Sequence, residues 1–310
     1  MKILITGGAG NVGGSLARRL VQDPENYVVI VDNFFTGSHK KLPDSSKKNW
    51  RFIKADVNNF DDISSIVCSH SFDYIFHYAA VVGVERTLKN PKLVLNDIDG
   101  IKNILDLAKN TGVKRVLFSS SSEVYGEPVE IPQREDTTPL NSRLPYAIVK
   151  NVGEAFCKSY QQEFGLDYTI FRFFNTYGPL QSDDFVITKF IKQAINNQDI
   201  TIYGDGLQTR TFCFIEDNLD ATISAVTNNV WVNEVANIGS EDEMTIVDLA
   251  KTVINVTKSK STIKHFPALE EGDMTRRKPE ISKMMSVLGR DLTKLEEGIK
   301  MTIKYIQEGE

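Results

Sequence analysis

Tyr146 and Lys150 stand four residues apart, a spacing that puts both on one face of a helix. Upstream runs Val116-Leu117-Phe118-Ser119-Ser120-Ser121-Ser122-Glu123, an apolar strand passing into a cluster of hydroxyls and one carboxylate. A free tyrosine, with a pKa near 10, is a poor base at neutral pH, and lowering it by ~3 units takes about 4 kcal/mol. A lysine ammonium at ~4 Å supplies about that much in an effective dielectric of ~20. Hydroxyl, phenol and ammonium are the parts needed to draw a proton from a carbinol while hydride leaves for a nicotinamide, whose cation adds to the pull on the phenol. By itself the Y-x-x-x-K spacing matches freely, and a surface Tyr and Lys on an amphipathic helix is its plain reading.

The hydride acceptor is implied at the other end of the chain. Gly7-Gly8-Ala9-Gly10-Asn11-Val12-Gly13 follows a predicted strand and opens a helix, the context that gives a glycine pattern meaning. Gly7 permits a tight turn, Gly10 lets the backbone approach a pyrophosphate, and Gly13 brings the helix close to the sheet. Asn11 and Val12 then lie at a helix N-terminus, whose free N–H groups and dipole favour phosphate. The spacing is GxxGxxG, not the commoner GxGxxG. Asp32, followed by Asn33, ends the second predicted strand, where a carboxylate bonds ribose hydroxyls and repels a 2′-phosphate, favouring NAD over NADP. Asp56 and Val57 after the third strand are placed to contact adenine. Tyr78, Ala79 and Ala80, following His77 after the fourth, are placed to line pyrophosphate and ribose. Each taken singly is equally a turn or a strand end; four in the right order argue against coincidence.

The elements that position these residues alternate in a βαβ rhythm, which implies a parallel sheet covered by helices on both faces. Strands are predicted at Lys2–Thr6, Tyr27–Val31, Arg51–Lys54, Tyr74–His77, Arg115–Ser119 and Tyr168–Phe173. A helix is predicted over Pro91–Asn110, where Leu93, Val94, Ile98, Ile101, Ile104 and Leu105 recur at helical spacing. After Gly178-Pro179 the rhythm loosens to a helix near Val186–Asn196, a strand at Ile200–Tyr203 and a turn at Gly204-Asp205-Gly206. Helices follow at Thr245–Val256, opened by Thr245 and Asp248 as an approximate capping box, and at Lys294–Ile306. The fold class is thus α/β: a Rossmann-like, doubly wound parallel sheet over residues 1–178, with a smaller, partly interleaved lobe over 179–310.

Composition narrows the function further. With 310 residues, 41% hydrophobic and 25% charged, the chain can bury a sizeable core, and a net charge of −5 gives no sign of an extended basic surface for nucleic acid or anionic membrane. Cys68, Cys157 and Cys213 and the four histidines are scattered without metal-ligand spacing, so no metal site and a reducing compartment are expected. The start at Met1-Lys2-Ile3-Leu4-Ile5 lacks a signal-peptide h-region, and no apolar run approaches the roughly 20 residues of a membrane span, so a cytoplasmic location is expected.

With the glycine turn, Asp32, the His77-Tyr78-Ala79-Ala80 segment and the hydroxyl run, the chain resembles the extended short-chain dehydrogenase/reductase family that modifies nucleotide sugars. The likeness extends over essentially the whole chain, from TGGAGNVG through SSSSEVYG, YAIVK and FFNTYGP to YGDGLQTRTF and RRKPEIS. It implies a seven-stranded NAD-binding domain, a smaller lobe for a nucleoside diphosphate sugar, most simply UDP-linked, and a homodimer formed through the helices around Pro91–Asn110 and Tyr146–Phe164. Carried over by position, Ser121 and Ser122 sit at the sugar 4-hydroxyl, Tyr146 is the base, Lys150 its partner, and Phe173 lies on the cofactor side. Asn175, Thr188, Tyr203 and Gln208 fall to the substrate, Arg210 to its diphosphate, and Arg276 or Arg277 to the sugar side. Asn175 is equally suited to capping the turn at Thr176-Tyr177-Gly178-Pro179. One departure is Asp97, where many relatives have asparagine.

In such enzymes Tyr146 would take the 4-hydroxyl proton as hydride goes to NAD, giving a 4-keto sugar; the branches differ in the fate of that ketone. A 4-epimerase needs no carboxylate beside C5, yet Glu123 stands there. The Ser-Glu pair and Arg277-Lys278-Pro279 resemble UDP-glucuronate decarboxylases, in which an arginine fork suits the substrate carboxylate. Against this, Ala147-Ile148-Val149 is not the Asp-Glu-Gly filling of many decarboxylases. Decarboxylation of UDP-glucuronate is the leading expectation, followed by a UDP-hexose or UDP-hexuronate 4-epimerase and then a 4,6-dehydratase. From another class, a non-catalytic NAD-sensing relative remains an alternative, although such proteins tend to lose the tyrosine or the lysine.

Overall fold

A computed structural model describes residues 1–267 and 276–308 of the chain. Two compact units emerge, one comprising Met1–Val124, Leu140–Arg172 and Thr222–Ala236, the other Tyr125–Pro139, Phe173–Ala221 and Asn237–Glu310.

The first unit opens with β1 (Lys2–Thr6), α1 (Asn11–Leu20), β2 (Tyr27–Asp32), β3 (Trp50–Lys54), α2 (Phe60–Ser69) and β4 (Tyr74–His77). Strands β1 and β2, KILIT and YVVIVD, are buried along nearly their whole length, as expected for parallel strands covered on both faces. Next come α3 (Val84–Lys89), α4 (Pro91–Leu95), α5 (Asp97–Ala108), β5 (Arg115–Ser121), α6 (Pro145–Phe164) and β6 (Tyr168–Phe173). β1 pairs in parallel with β2 (Leu4 opposite Val29) and with β4 (Leu4 opposite Ile75), so the chain winds outward in both directions from β1. Ligands bind such sheets beyond the strand C-termini at this reversal. Asp32, His77 and Ser121 all end strands at that edge.

The rest of the chain contributes β7 (Thr176–Tyr177), α7 (Val186–Ile195), β8 (Ile200–Tyr203), β9 (Thr209–Thr211), β10 (Cys213–Phe214), α8 (Ile215–Thr227) and β11 (Glu234–Ile238). It closes with β12 (Glu243–Thr245), α9 (Ile246–Thr257), β13 (Ile263–Phe266), α10 (Ser282–Leu288) and α11 (Leu295–Glu308). Among the described residues one sheet has seven strands, in the order β11-β6-β5-β4-β1-β2-β3. Its seventh strand, β11, comes from a late segment that the alternation of the first half does not announce. In the second unit β9 and β12 form an antiparallel pair with Arg210 opposite Met244, while β8 and β13 pair in parallel.

The six strands predicted in the first half all form, and β1, β4 and β6 have the expected ends. The expected single helix over Pro91–Asn110 is divided: Asp99 N–H bonds to Asn96 O, three residues back, a tightened turn that separates α4 from α5 although Asn96 keeps right-handed helical angles. α4 cannot extend backwards into α3, because Asn90 precedes a proline and takes φ −129, ψ 57. At α9, Thr245 Oγ accepts Asp248 N–H at 3.0 Å, the expected cap, but Asp248 Oδ2 answers to the Thr245 hydroxyl at 2.8 Å and not to its backbone. No helix of the described residues is long and apolar enough to cross a membrane.

Candidate active site

The turn after β1 is shaped by exclusion. Gly7 takes φ +67, and a Cβ there would stand 2.6 Å from Ala79 N; a Cβ on Gly13 would stand 2.4 Å from Gly7 O. α1 opens at Gly10 with no side-chain cap, leaving its first N–H groups to a ligand. Beside them Asn11 Oδ1 is buried without a hydrogen-bond partner, and Val12 is half-buried. Asp32, buried at the end of β2, accepts Ala9 N–H at 3.0 Å on one oxygen and Phe34 N–H at 2.7 Å on the other. Those bonds fix the carboxylate and leave lone pairs on each oxygen for further donors.

Asp56 and Val57 have internal roles as well. Asp56 accepts Asn33 Nδ2 at 3.1 Å and Asn58 N–H at 2.9 Å, joining the loops after β2 and β3, while Val57 is buried and its carbonyl accepts Asn103 Nδ2 at 3.0 Å. After β4, Tyr78 N–H bonds to Thr6 O and Ala79 N–H to Thr6 Oγ, which in turn lies 2.8 Å from His77 Nδ1. Burial drives the His77 pKa down to about 3, which keeps the ring neutral. Tyr78 bonds to Thr222 and burial holds its phenol protonated; Ala80 is half-buried nearby in sequence.

The first unit also brings Tyr146 and Lys150 next to the hydroxyl run. α6 starts at Pro145, a residue suited to the first helical turn, so Tyr146 and Lys150 fall on consecutive turns of one face. Lys150 is buried: its Nζ donates to Ser119 Oγ at 3.4 Å and lies 5.1 Å from the Phe118 ring centre and 5.7 Å from that of Tyr146. Burial lowers its pKa to about 8, against the opposing pull of Asp97. Asp97 accepts Val81 N–H at 2.7 Å and Asn58 Nδ2 at 3.3 Å, and burial raises its own pKa. Ser121 and Ser122 are buried, and Ser121 Oγ accepts the backbone N–H of Glu123 at 3.2 Å, turning the chain at the strand end.

The second unit carries the remaining candidates. Phe173 ends β6, half-buried. Asn175, at φ 31, sends its amide to Thr211 O at 2.9 Å, tying the segment before β7 to β9 instead of capping the following turn. Thr188 donates to Gln181 Oε1 at 3.0 Å. Tyr203 is 44% exposed, with Lys189 Nζ 5.1 Å from its ring centre, and Gln208 O accepts Ile246 N–H. Arg210 is buried and donates to Thr209 O at 2.7 Å. The two adjacent arginines part company: Arg276 forms a two-pronged ion pair with Glu243 at 2.6 and 2.7 Å, and Arg277 is buried. Hydrogen bonds from Arg276, then Thr209, hold the Glu243 carboxyl down to about 2.

Residues 3–239 match the profile of the NAD dependent epimerase/dehydratase family. The chain belongs to that family. A Bacillus cytotoxicus protein named UDP-N-acetyl-alpha-D-glucosaminuronate decarboxylase is 37% identical to this family member, over 99% of this chain and 98% of its own. UDP-glucuronic acid decarboxylase 1 of Danio rerio is 35% identical over 98% of this chain and 72% of its own. Among solved structures, UDP-glucose 4-epimerase of Thermotoga maritima with UDP-glucose superposes with a TM-score of 0.93 at 29% identity, covering 100% of this chain and 99% of that one.

The cofactor of this epimerase/dehydratase is NAD, and the residues present fit it: the side-chain-free approach at Gly7 and the uncapped start of α1 suit a pyrophosphate, and the fixed Asp32 carboxylate suits a ribose diol. Glu154 and Arg172, to which sequence spacing assigned no role, meet Ser120 of the hydroxyl run inside the first unit. A signal was present: Glu154 continues the four-residue step from Tyr146 through Lys150.

Proposed function

We propose that the protein decarboxylates a UDP-linked hexuronate, UDP-glucuronate or its 2-acetamido counterpart, through a transient 4-keto sugar. Arg277 carries this reading. The residue is only 7% exposed, and the segment bearing it is pinned on both sides of the bridge to Gln133, which donates its N–H to Lys278 O at 2.7 Å and accepts Glu280 N–H at 2.8 Å. A held arginine fork suits a carboxylate and has no counterpart need in a neutral hexose. The two curated relatives, both named as decarboxylases of hexuronates, support the same choice.

NAD, when bound, supplies hydride acceptance and return at C4. Tyr146 takes the 4-hydroxyl proton and later gives it back; Lys150 keeps the phenolate within reach of neutral pH; Ser121, with Ser122 beside it, orients the hydroxyl. Oxidation at C4 leaves the carboxylate β to a ketone, so the C5–carboxylate bond breaks with its electron pair passing into the enolate and CO2 departing. Arg277 serves the substrate carboxylate, and Glu123 orients it and governs reprotonation at C5. Asn175, Thr188, Tyr203, Gln208, Arg210 and Arg276 serve the nucleotide and its diphosphate. We also assign a homodimer through α4, α5 and α6, where Leu95, Ile148 and Phe164 expose apolar side chains; light scattering reads it directly.

The second reading, a UDP-hexose or UDP-hexuronate 4-epimerase, draws on the likeness to the Thermotoga enzyme. The two separate when UDP-glucuronate, UDP-N-acetylglucosaminuronate, UDP-glucose, UDP-N-acetylglucosamine and GDP-mannose are each offered with NAD and the products weighed. Loss of CO2 from a hexuronate is expected. An isobaric product from UDP-glucose alone establishes the epimerase, and loss of water a dehydratase.

A further inference from the structure

Tyr146, Lys150 and Glu154 follow one another at four-residue steps along one face of α6, the last two buried. The first two belong to the chemistry; the third is a carboxylate almost wholly removed from water. Its Oε2 accepts Arg172 Nη2 at 2.7 Å, and its Oε1 accepts both Arg172 Nε at 2.9 Å and Ser120 Oγ at 2.6 Å. The side chains of Glu154 and Arg172 are 1% and 2% exposed. One carboxylate thereby joins the helix to β6 through Arg172 and to β5 through Ser120. Ser120 lies between Ser119, which accepts the Lys150 ammonium, and Ser121, at the strand end.

Stability alone is a poor reason for such a pair. Withdrawing two charges from water carries a desolvation penalty that their attraction only offsets, and well-packed apolar side chains of similar volume are often as good or better. What a two-pronged guanidinium–carboxylate pair adds over apolar contact is direction, since its hydrogen bonds hold in one relative orientation. An apolar interface lets a helix slide or roll by a fraction of an ångström, whereas directed hydrogen bonds resist that motion.

We propose that Glu154 and Arg172, with Ser120, form a positioning clamp that holds Tyr146 and Lys150 of α6 in register with the serine run of β5. The proposal rests on the reading that Tyr146 is the base, and deepens it. A misplacement of ~1 Å at reacting groups is enough for a loss of roughly 10²-fold.

The test is the double variant Glu154→Met with Arg172→Met, which leaves no unpaired buried charge. It is expected to fold and to bind NAD as the parent does. Turnover per NAD-bound protein should fall roughly tenfold to hundredfold with KM unchanged. Tyr146 ionisation, read by ultraviolet titration of the NAD-bound protein against the same protein carrying Tyr146→Phe, should shift to higher pH. A merely structural role lowers the melting temperature and leaves that ionisation where it was. Should the double variant not fold, Ser120→Ala cuts only the tie to β5 and is expected to shift the ionisation in the same direction. Unchanged phenol ionisation and turnover in the folded variant overturn the proposal. The titration needs no sugar, so a wild-type protein that releases no CO2 sinks the assigned reaction and leaves the clamp to be judged by itself.

Discussion

Lys150 aims its ammonium at Ser119, with Nζ 3.4 Å from Oγ, while that same hydroxyl donates to the carbonyl of His77 at 3.3 Å. Among the described residues the cation thus has one long hydrogen bond and lies over two aromatic faces in a buried site. Its charge acts on a neighbouring phenol through the low-dielectric surroundings, offset in part by the Asp97 carboxylate.

On the proposed mechanism, Tyr146→Phe removes the oxygen that exchanges the sugar proton and changes little else in shape. Turnover should drop by roughly 10³-fold or more, with NAD still bound. Retained activity alongside a normal NAD titration takes Tyr146 out of its role.

The alkaline side of the pH profile should belong to Lys150. Burial brings it down to about 8, so above that pH the amine loses its proton, the phenol loses its cationic neighbour and kcat/KM falls. Asp97 opposes the fall, because a nearby anion favours the charged amine. Asp97→Asn keeps acceptors for Val81 N–H and removes the charge, so Lys150 should titrate lower still and the alkaline limb should move down by on the order of one unit. A limb that stays in place or moves up refutes the coupling.

Arg277→Gln should cut CO2 release from a UDP-hexuronate by roughly 10²-fold, the worth of a charge-assisted pair of hydrogen bonds. Arg277→Lys should not restore it, since an ammonium lacks the fork. Equal loss with a neutral UDP-hexose would mean that Arg277 serves the nucleotide or the fold and not the carboxylate.

Glu123→Gln discriminates among the branches. A decarboxylase should slow by roughly 10²-fold as it loses a proton-handling carboxylate near C5, whereas an epimerase should tolerate the change. Product mass and rate, followed together, show which.

Gly7→Ala tests the cradle. At φ +67 a non-glycine residue costs about 1–3 kcal/mol, and the added Cβ meets Ala79 N at 2.6 Å. The melting temperature and NAD affinity should both fall; a variant that binds NAD as tightly as the parent shows that the loop has room to spare.

Much of the first half was legible because parallel strands buried on both faces are written as nearly unbroken apolar runs. KILIT, YIFH and YTIFRF therefore announce β1, β4 and β6 to the residue. β11, EVANI, is short and follows a loose stretch of turns, and only its seat beside β6 makes it the seventh strand. The tightened turn at Asn96 was equally hidden, because apolar spacing runs through it undisturbed.

The site divides in the same way. Geometry that needs neighbours along the chain, the glycine turn at Gly7–Gly13 or Tyr146 and Lys150 one helical turn apart, was determined by sequence alone, since it follows from residue type and spacing. Chemistry that depends on residues distant in sequence was decided by the tertiary structure. Spacing could not say that Arg276 would pair with Glu243 while its neighbour Arg277 was buried, that Asp97 would share a field with Lys150, or that Glu154 would find Arg172 and Ser120. Charges cannot be assigned to partners until packing has removed the water that would otherwise satisfy them, and that removal is a property of the folded whole.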